Sequence, residues 1–488
     1  MKKIFFFVFA ILTLTIQLSS QWVYQPVPGN TSYYVCIEFS STTNGAVGGI
    51  YLTTDFFGRG AYTTNAGANW LNSTVPDSLR VITGIVLQAS GTGYSTGAYN
   101  TAAITRPINP EHYNKRTLQL NKQHESFTGN NYKGMFMRTT NTGQSWAPYG
   151  VLPANVYYLN GIDQTDFNTL YAAASYNPSG GVSDGVVKTT NAGLTWTVLT
   201  MPEVINNVSG VYFIDINTGF AYGYDNVNDT ARGVLLRTTN AGVNWSRQIF
   251  MQYGELSGID FTNSTTGILV SISGILSSDP DAVILRTTNA GLNWISAGGI
   301  DNADMYDVNF VQGTLTALIT GARYLPGFES AELILKSTNS GSNWIQLPIN
   351  DTGLVLFESK LLDQNNWYLT GADFGSPTKP VILHTTNGGA IGILPISGEV
   401  PVTYSLQQNY PNPFNPVTNI KFSIPVTGFV KLVIFDVTGR EVKTLVSQNM
   451  QAGNYIADLD ASSLTSGVYF YRIEAGEYMQ TKKMVLIK

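Results

Sequence analysis

The sequence predicts an all-β protein: a seven-bladed β-propeller followed by a small immunoglobulin-like β-sandwich. Three observations carry that prediction. A box of the form Thr-Thr-Asn-Ala-Gly recurs seven times at near-constant spacing. Six of the boxes keep a tryptophan that the seventh lacks. After the last box the period stops and short alternating runs take over.

The box asparagines are Asn65, Asn141, Asn191, Asn240, Asn289, Asn339 and Asn387, at intervals of 76, 50, 49, 49, 50 and 48 residues. A period of this length marks one repeated supersecondary unit and suits a four-stranded propeller blade. Each unit holds β-rich runs separated by glycine and asparagine, as VYFID, FAYGY and VLLRT do before the fourth box. Within the box, Asn240 is expected to bond nearby amides and to tolerate left-handed φ, while Gly242 supplies positive φ. Thr238 is expected to end the incoming strand, and Trp245 to begin the outgoing one and bury its ring.

Trp70, Trp146, Trp196, Trp245, Trp294 and Trp344 follow the first six boxes, but HTTNGGAIG (residues 384–392) has none. Trp22 stands near the other end of the chain with no box before it. An open ring would leave sheet edges unpaired. The economical expectation is that Trp22 and the residues after it form the outer strand of the seventh blade.

These boxes resemble the Asp-box (BNR) repeat, Ser/Thr-x-Asp-x-Gly-x-Thr-Trp, with asparagine in place of aspartate. Thr189, Asn191, Gly193, Thr195 and Trp196 match it with that one change. Similar repeats occur in sialidases and in the photosystem II assembly factor family, and the resemblance implies a propeller over about 21–392. A sialidase site is not expected: the Arg-Ile-Pro signature is absent, and Arg138, Arg237 and Arg286 only fill the position before a box. Lys188, Lys336 and His384 fill it in other blades.

A formal charge of −5 and a pI near 5.3, with no basic stripe, exclude nucleic acid as partner. Lys2 and Lys3 precede an apolar run from Ile4 to about Ile16 that is too short to span a bilayer, so residues 1–20 read as an export signal. No later segment suits a transmembrane helix. Cys36 is the sole cysteine and reads as a buried hydrophobe. No zinc spacing, calcium loop or phosphate-binding glycine motif is present, so no metal or other cofactor is expected.

If strands A to D run outward from the axis, the boxes join C to D, and the B–C and D–A loops lie on the opposite face. The long first interval places an insertion near Asn100–Tyr132 containing His112, Arg116 and His124. A loop of that length reads either as a binding element or as an unstructured decoration. Asp55, Arg59, Asp225, Arg232, Arg323, Tyr324 and Asp373 fall in other B–C loops. With His112 and Arg116 they are the candidate ligand residues, because carboxylates and arginines beside aromatic plates suit a glycan or protein ligand. The expected function is binding, with an extracellular glycoside hydrolase or lyase as the alternative. That alternative needs two positioned carboxyl groups, and no catalytic residue can be named from the sequence.

After residue 392, a linker is expected over 393–409 and a β-sandwich over 410–488. Tyr410, Pro411, Asn412, Pro413 and Phe414 open this tail, Gly439 sits in the turn DVTGREV, and Gly467 opens GVYFYRI. On those residues the tail resembles the type A sorting domain of the type IX (Por) secretion system. The resemblance implies that residues 410–488 engage that machinery and that the protein reaches the bacterial surface or the medium.

Overall fold

A computed structural model describes residues 22–487 except 30–31, 53–55, 101–131, 177–182, 203–204, 228–229, 251–253, 273–281, 325–329, 348, 350–352, 376–377, 390–393, 398–400, 451 and 462–463. The expected export signal, Asp55, His112, His124 and Arg116 lie outside these residues. The chain divides into two units, Trp22–Gly389 and a second that contains Ala390–Lys488.

The first unit is built of seven four-stranded antiparallel sheets, each made of consecutive strands except the last. Blade 1, for example, runs Ser32–Phe39, Gly45–Leu52, Phe56–Thr63 and Leu71–Asn72 from A to D. The seventh combines Leu354–Leu361, Trp367–Asp373 and Lys379–Thr385 with Val23–Tyr24 from the other end of the chain. Val23 pairs with His384 and Tyr24 with Leu383. Trp22 is 1% exposed, and a methyl carbon placed on Gly389 would stand 3.5 Å from its Cζ2. Trp245 holds the equivalent place over Gly242, at 3.4 Å.

The box turns differ from expectation in one respect. The left-handed residue is the one after asparagine, Ala241 at φ 57°, followed by Gly242 at 84°. Asparagine is instead an acceptor, its Oδ1 taking the Asn244 amide at 2.9 Å. The hub is the threonine before it. Thr238 Oγ1 donates to Asn240 Oδ1 at 3.0 Å and accepts the Asn240 and Gly242 amides at 3.2 and 3.0 Å. A hydroxyl at the end of a strand thus satisfies two turn amides that the ladder cannot reach.

In four blades the cation before the box fastens that blade to the next. Lys188 Nζ donates to Ala241 O (3.0 Å), Arg237 Nε to Ala290 O (2.8 Å), Arg286 Nε to Ser340 O (2.7 Å) and Lys336 Nζ to Gly388 O (2.8 Å). At the closing junction His384 stacks on Tyr368 at 4.1 Å, and the Tyr368 hydroxyl donates to Ala66 O at 2.9 Å.

Around the axis, carboxylates perform the same task. Asp163 accepts Gln164 N in its own strand and Phe213 N in the next blade, at 2.7 and 2.6 Å. Asp260 repeats this with Phe261 N and Phe310 N. Glu38 accepts Phe39 N at 2.8 Å and pairs with Lys360 of blade 7 at 2.7 Å, so an ion pair also closes the ring. Burial pushes Asp163 up to about 6 and Asp260 up to about 7, against the pull of those amides.

The second unit has two four-stranded sheets enclosing one core that includes Phe414, Phe422, Leu432, Tyr471 and Ile473. The stretch expected as a linker differs from the reading. Leu394–Ser397 and Ser405–Leu406 are both strands of the sheet formed with Gly453–Asp460 and Val417–Ile424. Both are edge strands of only four and two residues, and that brevity conceals them in the sequence.

Candidate functional site

The candidate residues that are described lie on strands rather than in loops, most of them near strand ends. Arg59 belongs to a C strand, with its guanidinium 4.9 Å over the Tyr51 ring and Nη2 2.8 Å from Asn72 Oδ1. Asp225 and Arg232 face each other across the B–C ladder of blade 4 at 3.0 Å. Arg247 on the D strand completes that carboxylate at 2.5 Å. Arg323 and Tyr324 end the B strand of blade 6, and Arg323 reaches Gln346 Oε1 at 3.4 Å. Asp373 Oδ1 accepts the Gly375 amide at 2.8 Å and folds its own turn. Each described candidate is therefore engaged within its own blade, and together they form no single constellation.

What gathers near the axis on this face is a group that spacing does not reveal. Tyr33 comes from the inner strand of blade 1, Tyr306 from blade 6, and Phe357 and Phe374 from blade 7. Ring centroids are 5.8 Å apart for Tyr33–Phe357, 5.6 Å for Tyr306–Phe357 and 6.5 Å for Phe357–Phe374. Tyr33 and Phe357 are buried, whereas Tyr306 and Phe374 are half-buried. Tyr306 and Phe357 each occupy a register shift of the inner strand, where one residue steps out of the ladder.

Beside this cluster stand buried acids. Asp304 accepts the hydroxyls of Tyr324 and Tyr306, the latter at 3.3 Å. Glu255 accepts the Ser209 hydroxyl, and Asp184 Oδ2 accepts Val208 N at 3.2 Å. Burial pushes Glu255 up to about 8, reinforced by the charges of Asp304 and Asp184. Among the described residues no group of three His, Cys, Asp or Glu is placed to hold a metal ion. Nor is any helix long and apolar enough to cross a membrane.

The tail residues divide by role. Phe414 is 2% exposed, and its backbone bonds Val485 O and Ile487 N, both at 2.9 Å. Asn412 Oδ1 accepts Val485 N at 2.9 Å. Pro411 O accepts Asn409 Nδ2 at 3.0 Å and Thr418 Oγ1 at 2.7 Å. The opening motif thus covers the edge of the last strand, Tyr478–Leu486, while Tyr410 is 81% exposed. Gly439, at φ 81°, allows the turn in which Asp436 N donates to Arg440 O and Gly439 N donates to Asp436 O, both at 3.0 Å, while Asp436 Oδ1 accepts Arg440 N at 3.1 Å. Residues 408–488 match the family described as the secretion system C-terminal sorting domain. The tail is a type IX sorting domain. It marks the protein for export to the cell surface or the extracellular space.

No curated protein matches the chain. Among solved structures it is similar to YCF48 bound to D1 peptide, at 13% identity over 76% of this chain and 96% of that one, TM-score 0.49. It is also similar to the GH74 xyloglucanase of Xanthomonas campestris, at 12% identity over 94% and 75%, TM-score 0.47. A third is a polysaccharide lyase, the PL25 ulvan lyase, at 8% identity over 75% and 96%, TM-score 0.42. No activity passes from these likenesses to this protein.

Proposed function

We propose that the exported propeller is a binding module whose ligand, a glycan or an extracellular protein, docks on the B–C face over the Tyr306–Phe374 cluster. The observation that supports this reading is the convergence of aromatic rings from three blades near the axis, next to the Asp304–Tyr324 hydrogen bond. Half-buried rings offer flat apolar area at little entropic cost, and adjacent hydroxyls and carboxylates orient what lies on them. The opposite face is occupied by box turns whose polar groups bond each other and the next blade.

A second reading, a hydrolase or lyase acting on polysaccharide, has one observation in its favour. Burial pushes Glu255 up to about 8, the kind of raised carboxyl group that serves as a general acid. Against it, Asp184, Glu255 and Asp304 are 2, 6 and 0% exposed, and the first two accept bonds from blade 4. Incubating the full chain with a panel of polysaccharides and peptides separates the two readings. Retention without new reducing or unsaturated ends supports binding; product release abolished by Glu255→Gln supports the enzyme.

A further inference from the structure

The two outer faces of the sorting domain are unlike each other. On the sheet that contains Val417–Ile424 and Gly453–Asp460, the outward positions are mostly polar, with half-buried Ile456 beside Lys421 an apolar exception. Lys421 is exposed, and Ser405, Ser423 and Asn454 form a ladder, with Ser405 Oγ to Ser423 Oγ at 3.0 Å and Ser423 Oγ to Asn454 Oδ1 at 2.7 Å. That is how a solvent face of a sandwich is expected to read.

The other sheet orders its strands Glu441–Met450, Gly428–Phe435, Gly467–Ala475 and Tyr478–Leu486. Val430, Leu432 and Ile434 belong to the core, so Val433 and Phe435 lie on the other side of the strand, where Val433 is covered and Phe435, like Phe470, is half-buried. Register sets Phe435 beside Phe470 and Phe470 beside Lys483, and Val433 beside Arg472. Val468, 36% exposed, pairs with Val485 one row on. Arg472 lies 4.8 Å over the Phe435 ring and pairs with Glu474 at 2.8 Å. Lys483 is exposed and has no ion pair among the described residues.

We infer that this aromatic and basic sheet face is the surface by which the sorting domain docks on a protein of the export machinery. The partner surface is apolar, to cover Phe435 and Phe470, with a carboxylate rim facing Lys483 and Arg472. The domain is an export address, so a partner in that machinery has to touch it. Its two outer faces differ in the way that separates a docking surface from a solvated one, since aromatic residues and arginine are enriched where proteins meet. The motif of Tyr410–Phe414 is spent largely on the fold, through the edge of the last strand.

The test uses the full chain expressed in a bacterium that carries this secretion system, with the exported and periplasmic fractions measured for three variants. Phe470→Ser and Lys483→Glu should each lower the exported fraction by about tenfold or more, the scale of a lost interface anchor. Lys421→Glu, on the polar sheet, should be exported like the parent. Thermal melting of each purified protein separates docking from folding, and Lys483→Glu alone decides if Phe470→Ser does not fold. Parent-level export of Lys483→Glu, or equal retention of Lys421→Glu, overturns the assignment.

Discussion

Trp22 lies over Gly389, with the glycine's missing methyl 3.5 Å from the indole, and so completes a turn begun at the other end of the propeller. Trp70, Trp146, Trp245, Trp294 and Trp344 each stand over a glycine of their own hairpin; the seventh hairpin borrows its ring. Val23 and Tyr24 then pair with Leu383 and His384 and give blade 7 the outer strand that each other blade has.

Truncating that ring should open the propeller. Trp22→Ala is expected to cost about 3–5 kcal/mol, the range for a buried tryptophan. Chemical denaturation of the full chain checks it, read from propeller tryptophan fluorescence. An unchanged midpoint would mean that the ring closes without Trp22.

The box hub makes a prediction that the asparagine alone would not. Thr238→Val keeps the shape of a side chain that is 1% exposed but leaves the Gly242 amide without its acceptor. The expected cost is about 1–3 kcal/mol, that of a buried polar group left unpaired. Calorimetry measures it, and ligand retention at a temperature where both proteins are folded should be equal.

Buried carboxyl groups make stability depend on pH in an unusual direction. Asp163, Asp260 and Glu255 are pushed up to about 6, 7 and 8, above the ordinary carboxylate range. A group whose pKa is raised on folding stabilises most while protonated, and that contribution is lost as pH climbs through the folded value. The melting temperature should therefore fall from about pH 5 to pH 8.5, and Asp260→Asn should flatten the part of the decline near 7. A melting temperature that rises across this window would contradict the burial of these acids.

The parts of this structure that were legible in sequence are those that repeat. Seven asparagines count seven blades, and the mismatch between a missing tryptophan and a spare one reveals how the ring closes. Local chemistry was less legible. In sequence Thr238 reads only as strand, because the bonds of its hydroxyl depend on a turn geometry that composition does not display. Asp225 and Arg232 read as loop, although ladder pairing carries them onto the strands. Tyr33, Tyr306, Phe357 and Phe374 were missed as a group because they are distant in sequence, and two of them sit at register shifts. Leu394–Ser397 was hidden by its role as a short edge strand.

Ligand docking on the face opposite the boxes is tested most directly by comparing the full chain with Phe374→Ala, Tyr306→Ala and Arg237→Ala on a glycan and peptide array, at equal folded concentration. Phe374→Ala and Tyr306→Ala should lose the signal of the parent by about tenfold or more, as truncated anchors do. Arg237→Ala, which removes a bond to the neighbouring box at Ala290, should keep it. Full signal from both aromatic variants, with loss in Arg237→Ala, would place the ligand on the box face and contradict the claim.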